Sequence, residues 1–311
     1  MKGALVLWNR FFFEPTDARP LGVFRIVFGV YLLVYFQQIR WLLEMNFLRD
    51  GYSSHLASRL TASFLHALFL PLRQAPEGVF YSVYGLTFLL AAWFAIGLAH
   101  RVASVLLWIV VCGWLSPIQS GSNSADQVVK ILTFLFMIAG LAGHSARRYS
   151  VDAWLRRRSG EGDDGRVASW STRLFQIQLA AIYLWSGFHK ASVADWYNGS
   201  AVHFVFFQTA WSRVDMSWGA GYPFLTGLLS YGALFFEWLL FPVLVWNRRT
   251  RIPILLFGVA FHLGIALIMK VFVFGEIMIL FYLCFLTQEH YDAVGRWVRR
   301  WTTKGQAAGK Q

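Results

Sequence analysis

The sequence predicts an all-α fold, a polytopic membrane bundle of about eight transmembrane helices with further amphipathic helices at the interface. Three observations predict it. Of the 311 residues, 57% are hydrophobic and only 14% are charged, a balance foreign to soluble globular enzymes and to disordered chains. Eight runs are apolar over about the 20 residues needed to cross roughly 30 Å of hydrocarbon, where every amide must be satisfied within its own helix. Lys and Arg are divided unequally between alternate connections, which sets orientation in a bilayer. The 29 Phe and 15 Trp, the lack of a Gly-X-Y period and the presence of only two cysteines exclude collagen-like and disulfide-stapled chains. Cys112 and Cys284 fall inside apolar runs, where a thiol behaves as a small hydrophobe.

The runs lie near 21–43, 79–99, 102–118, 126–143, 174–190, 222–246, 252–269 and 272–287. Arg10, Glu14, Asp17 and Arg19 precede the first without the short apolar region and small-residue cleavage site of a signal peptide, so it is expected to stay in the mature protein. With the N-terminus placed in the cytoplasm, the tails and inner loops hold nineteen of the 28 Lys and Arg and the outer loops six. This bias predicts a multi-pass protein of the cell inner (plasma) membrane with both termini cytoplasmic. The net charge of +12 is then read against anionic headgroups, and no nucleic-acid partner is expected. The Arg-rich 144–173 segment, with Gly/Asp-rich 159–165, reads as a flexible cytoplasmic loop within a single transmembrane domain covering 1–311, and 288–311 as a basic tail. Two stripes suit helices lying in the interface: Leu56, Leu60, Phe64, Leu65 and Leu68, and Tyr291, Val294, Trp297, Val298 and Trp301.

Ionisable groups at membrane depth cost about 2.5–3.5 kcal/mol on insertion scales, so each demands a partner, water or a function. Arg25, near the cytoplasmic end of the first run, is assigned a structural role, its stem able to snorkel. Glu237 and His262 are deep; Lys130, Lys190 and Glu276 lie towards the outer side. Ser186, His189 and Lys190 stand at i, i+3 and i+4 on one helix face, with Gly187 permitting close approach and Asp195 and Trp196 just beyond. A lysine so placed is partly desolvated, which makes a usable general base; the alternative is an end-cap cation reaching headgroups. The 116–127 connection carries no cation and supplies Asn123, Asp126 and Gln127 on the same side, Asp126 being either a helix cap or a site group. Convergence of these groups describes a site opening outward for a hydrophobic small molecule. No metal or haem is predicted, since His262 is the one histidine deep in a run and no Cys-x-x-Cys or His-Glu-x-x-His occurs.

Ser186-Gly-Phe-His-Lys190 followed by Ala194-Asp-Trp196 and Gly199 resembles the Gly-x-x-Lys…Asp-Trp…Gly signature of the vitamin K-dependent gamma-carboxylase and its bacterial relatives, the HTTM (horizontally transferred transmembrane) proteins. Gly121 to Gln127, Ser150-Val-Asp152-Ala, and Phe261-His262 followed by Phe274 and Glu276 fit in the same order, over about residues 115–290. The resemblance implies that Lys190 deprotonates a quinone-type substrate, a vitamin K-like hydroquinone, in a pocket that contains His262. Catalysis is thus assigned to Lys190 and His262, and substrate binding to Ser186, His189, Asp195, Trp196, Asn123, Asp126, Gln127 and Glu276. The segment matching the carboxylase's catalytic histidine, Ser120–Asp126, has none, and no large soluble C-terminal region follows the last run, so carboxylation of protein substrates is not expected. The alternative is a non-catalytic transporter or an assembly partner of another protein, against which the lack of an internal repeat counts.

Overall fold

The computed structural model describes residues 2–48, 68–73, 75–116, 123–162, 164–208, 210, 212–271 and 273–308. It is 78% helical with almost no sheet. Among the described residues five helices are long and apolar enough to cross a membrane: Arg19–Gln38, Glu77–Ile96, Ser124–Leu141, Pro223–Leu244 and Arg251–Ile268; His100–Leu115 and Phe274–Phe285 are shorter and apolar. The run at 174–190 lies within helix Trp170–Ala191, whose Arg173, Gln176 and Gln178 lower its hydropathy. The run at 21–43 is divided, because helix Arg19–Gln38 stops at Ile39 and a separate helix, Arg40–Phe47, follows. Leu56, Leu60, Phe64 and Leu65 of the first interfacial stripe lie outside the described residues. The second stripe lies on helix Gln288–Ala308, where Val294 and Trp297 are exposed.

The chain forms two compact units, one of Met1–Ser122, Lys130–Arg173 and Leu286–Gln311, the other of Asn123–Val129 and Leu174–Phe285. In the first, helices Arg19–Gln38 and Glu77–Ile96 approach nearly to backbone contact at Gly29, where a Cβ would stand 2.6 Å from that of Ala95. Small residues at such crossings replace the hydrophobic drive that lipid removes. Phe136 is the hub of the aromatic core beside them, with ring centroids 5.0 Å from Phe24, 5.3 Å from Phe28 and 5.4 Å from Phe94. Arg25 is wholly buried here, and its guanidinium donates to the carbonyls of Ser145 (2.8 Å) and Tyr149 rather than extending to headgroups. Carbonyls freed by the irregular 142–150 stretch thus anchor a charge that apolar walls alone would reject. Within 144–173 the chain builds helix Val151–Arg158 and strand Arg166–Ala168, which pairs antiparallel with Pro15–Asp17.

In the second unit glycines again set the closest approaches. Gly187 of helix Trp170–Ala191 faces the backbone of Trp238, and Gly258 of helix Arg251–Ile268 faces the Tyr282 hydroxyl. Gln176, a polar residue in an apolar setting, is satisfied by donating to the Cys284 carbonyl at 2.7 Å.

Replacing Gly29 by leucine overpacks its crossing and is expected to cost about 1–3 kcal/mol. Gly78→Leu, at a position with open space around it, is the matched control. Thermal unfolding in detergent should show a lowered midpoint for the first variant and none for the second.

Candidate functional site

Helix Pro223–Leu244 is not α-helical throughout: residues Phe236–Leu240 form a π-helical turn. The Phe241 amide donates to the Phe236 carbonyl five residues back, and Pro242 has no amide to offer Trp238. Proline therefore removes the bond that would have kept this turn tight. The wider turn carries Glu237, whose side chain is 8% exposed, onto the face where Gly187 lets helix Trp170–Ala191 approach. There Lys190 forms an ion pair with Glu237. Ser186 sits between them, donating to Glu237 Oε2 at 2.8 Å and accepting from Lys190 Nζ at 3.1 Å. The lysine amine also lies 5.1 Å from the ring centre of Trp196, a cation–π contact that gains strength away from water.

Trp196 is held there by a short helix, Ala194–Tyr197, closed by Gly199 in the left-handed region (φ 81°). A side chain at that position would be strained, and its Cβ would meet the Tyr231 ring, whose hydroxyl donates to the Tyr197 carbonyl at 3.1 Å.

A second polar group stands on the neighbouring helices. His262 is buried, and its Nε2 shares a 2.6 Å hydrogen bond with the Tyr183 hydroxyl, which also bonds the Tyr282 hydroxyl. Gly258, one turn before His262, leaves the room that the Tyr282 hydroxyl fills. The Nδ1 atom of His262 is buried and has no hydrogen-bond partner among the described residues. Between this helix and the next, Val273 takes a left-handed conformation (φ 47°), strained for a β-branched residue.

Both groups border one cavity of about 670 Å³. Lys190, Glu237, Ser186, Trp196, Tyr183 and His262 line it, and the rest of its wall is mostly apolar, from residues such as Leu228, Phe257, Ile265 and Met278. Apolar walls with a few convergent polar groups characterise sites for small hydrophobic ligands. Of the ten residues expected at the site, Lys190, His262, Ser186 and Trp196 therefore meet around one space. The other six do not line it. Asn123 and Asp126 cap helix Ser124–Leu141 reciprocally: Asn123 Oδ1 accepts from the Ala125 amide (2.7 Å), and Asp126 Oδ2 accepts from the Asn123 amide (2.8 Å). Gln127, His189, Asp195 and Glu276 are exposed. From the 116–127 connection the wall receives Ser124, and residues 117–122 lie outside the described residues.

Three groups were not assigned to the site from sequence: Glu237 and Tyr183 on the cavity wall, and Tyr282, which bonds Tyr183 from behind it. Glu237 was legible as a deep carboxylate without a nameable partner. Tyr183 precedes Ser186 by three positions and Lys190 by seven, so helical spacing places it on the same stripe. Tyr282 left no comparable signal, because its role depends on Gly258 in another helix.

Several long apolar helices, with an exposed surface rich in residues such as Leu267, Trp185 and Phe188, define a polytopic helical membrane protein. The chain belongs to the HTTM domain family, whose model matches residues 13–290 and so runs through both units. No solved structure matches the chain.

Breaking one side of the ion pair strands a charge in a poorly solvated wall. Glu237→Gln is expected to destabilise the protein by about 3–5 kcal/mol, whereas Lys190→Met combined with Glu237→Leu should recover most of that loss. Chemical denaturation in mild detergent compares the three proteins; a double variant as unstable as the single one would contradict the pairing.

Proposed function

We propose that the cavity binds a hydrophobic small molecule bearing a weakly acidic hydroxyl, of the hydroquinone class, and that the Lys190–Glu237 pair accepts its proton. The observation that carries this reading is the joint placement of an ion pair and the hydrogen-bonded His262–Tyr183 pair on the wall of one largely apolar cavity. Moving the proton from Nζ to Oε2 inside the pair turns two charges into a neutral amine and a neutral acid, with no net charge entering the cavity. In that neutral form the amine is the group that can act as a base. Ser186, bonded to both partners, can follow the proton by rotating its hydroxyl. His262 Nδ1, buried and without a hydrogen-bond partner among the described residues, would bond a second oxygen of the same ligand and orient it.

The resemblance of the Ser186–Gly199 segment to the vitamin K-dependent gamma-carboxylase puts a quinone-type substrate first. The histidine-free 120–126 segment separates this chain from that enzyme, and carboxylation of protein glutamate is not part of the proposal. A second reading, a carrier for the same class of ligand, draws on the π-helical turn and the non-helical residues 269–271 beside the cavity, since carriers place broken helices at their binding sites. The Lys/Arg bias supports insertion in a bacterial inner membrane with both termini cytoplasmic.

Lipid extraction of the purified protein followed by mass spectrometry should recover a quinone from the native chain and little from Lys190→Ala. In liposomes supplied with a hydroquinone, Lys190→Ala should slow turnover by about 10²–10⁴-fold, the range for a general base. Equal turnover in both proteins would remove catalysis from this position. A retained quinone without turnover would favour the carrier, and phospholipid alone would contradict both readings.

A further inference from the structure

The first unit contains a cavity of its own, of about 690 Å³, which the proposed chemistry does not use. Its wall is built by the start of helix His100–Leu115, the end of helix Ser124–Leu141 with the turn after it, helix Val151–Arg158 and strand Arg166–Ala168. Four guanidinium groups border it, from Arg101, Arg147, Arg156 and Arg166, together with His100 and His144. Asp152, the single acid on the wall among the described residues, is already engaged: its two carboxylate oxygens accept from the Ala99 and His100 amides at 2.7 and 2.9 Å, capping a helix N-terminus. Arg147 reaches Asp164 at 3.9 Å. Among the described residues the guanidinium groups of Arg101, Arg156 and Arg166 pair with no carboxylate, although the Arg166 amide donates to Asp164 Oδ1 at 3.0 Å; the Arg156 and Arg166 guanidiniums donate to the carbonyls of Ala146 (3.0 Å) and Pro15 (2.8 Å). Carbonyl contacts leave the charge of a guanidinium uncompensated. In the same wall Arg156 Nε and His100 Nδ1 are buried with no hydrogen-bond partner among the described residues. The Arg156 Nε–H calls for an acceptor, and His100 Nδ1 for an acceptor or a donor according to its tautomer.

We propose that this cavity binds the phosphate of an anionic phospholipid. Planar forked donors match a phosphate better than any other common anion except a carboxylate. Position selects the lipid form over free phosphate. The cavity lies where two apolar helices end, the depth at which headgroups stand. Exposed apolar side chains flank it: Val102 and Leu141 on those helices, Trp154 and Leu155 on helix Val151–Arg158. Arg158 lies over the Trp154 ring, 5.3 Å from its centre, an aromatic and cationic surface suited to the bilayer interface. A phosphate held by the arginines could leave its acyl chains along this apolar border, which a soluble phosphate would not use.

The test places the full chain in phosphatidylcholine nanodiscs doped with phosphatidylglycerol and counts retained phosphatidylglycerol by native mass spectrometry. Removing one arginine near a membrane surface weakens anionic-lipid binding about fivefold. Arg101→Gln, an exposed residue whose loss should leave the fold intact, should therefore show that drop, and Arg101→Gln with Arg166→Gln a larger one. Arg248→Gln with Arg249→Gln removes the same charge from another helix connection and should lower retention clearly less than the pocket pair does. Excess inorganic phosphate should not displace the lipid. Equal retention by the pocket and control variants would overturn the proposal, as would complete displacement by inorganic phosphate, which would make the ligand a free anion.

Discussion

An ammonium and a carboxylate set against apolar walls hold each other in place, and the second unit is organised around that constraint. Neither Lys190 nor Glu237 is at ease alone, since an isolated charge away from water is heavily penalised. Joined, with Ser186 between them, they need the helices carrying them to meet at one level and at short range. Gly187 supplies the short range and the π-helical turn supplies the level. The same contact keeps a base and its counter-charge on the cavity wall, so the requirement of stability and the chemistry proposed for the cavity share one geometry.

The His262 side repeats the logic with hydrogen bonds in place of charge. A histidine and two tyrosines are far apart in sequence, yet they converge because Gly258 makes space for one hydroxyl and Gly275 passes within 2.9 Å, measured from its notional Cβ, of the His262 carbonyl. Glycines in this chain thus act less as breakers than as places where helices touch. The strained Val273 between the two helices concentrates irregular backbone beside the cavity, where functional sites commonly store it.

The fold class was legible because the bilayer imposes a length and composition that no soluble chain mimics, and the long helices at 77–96, 223–244 and 251–268 fall close to the runs read from hydropathy. What was not legible is instructive. Gln37, Gln38 and Arg40 sit at the break that ends helix Arg19–Gln38, a local cue that the apolar average across 21–43 concealed. Arg25 was readable as structural, but the carbonyls that hold it come from a turn more than a hundred residues away. At the site, the stripe of Ser186 and Lys190 was visible because helical spacing is local. Glu237 was legible only as a deep carboxylate; its pairing with Lys190 was not, since that depends on a π turn that no periodicity announces. Asn123 and Asp126 showed both a capping and a site pattern, and the reciprocal capping bonds account for their placement.

The first unit poses the converse problem, an excess of one charge with little to balance it. Its arginines gather at helix ends, where cations suit the C-terminal dipole of helix Ser124–Leu141, and the surplus beyond that need leaves a basic hollow. The account as a whole rests more heavily on the second unit, where opposite charges meet. Solid-state NMR on bilayer-reconstituted protein, with ¹⁵N in lysine side chains and ¹³C in glutamate carboxyl groups, measures that meeting directly. A strong dipolar coupling between one lysine amine and one carboxyl carbon, abolished by Glu237→Gln, is the expected result. A native spectrum without that coupling, or a coupling that survives the substitution, would contradict the account.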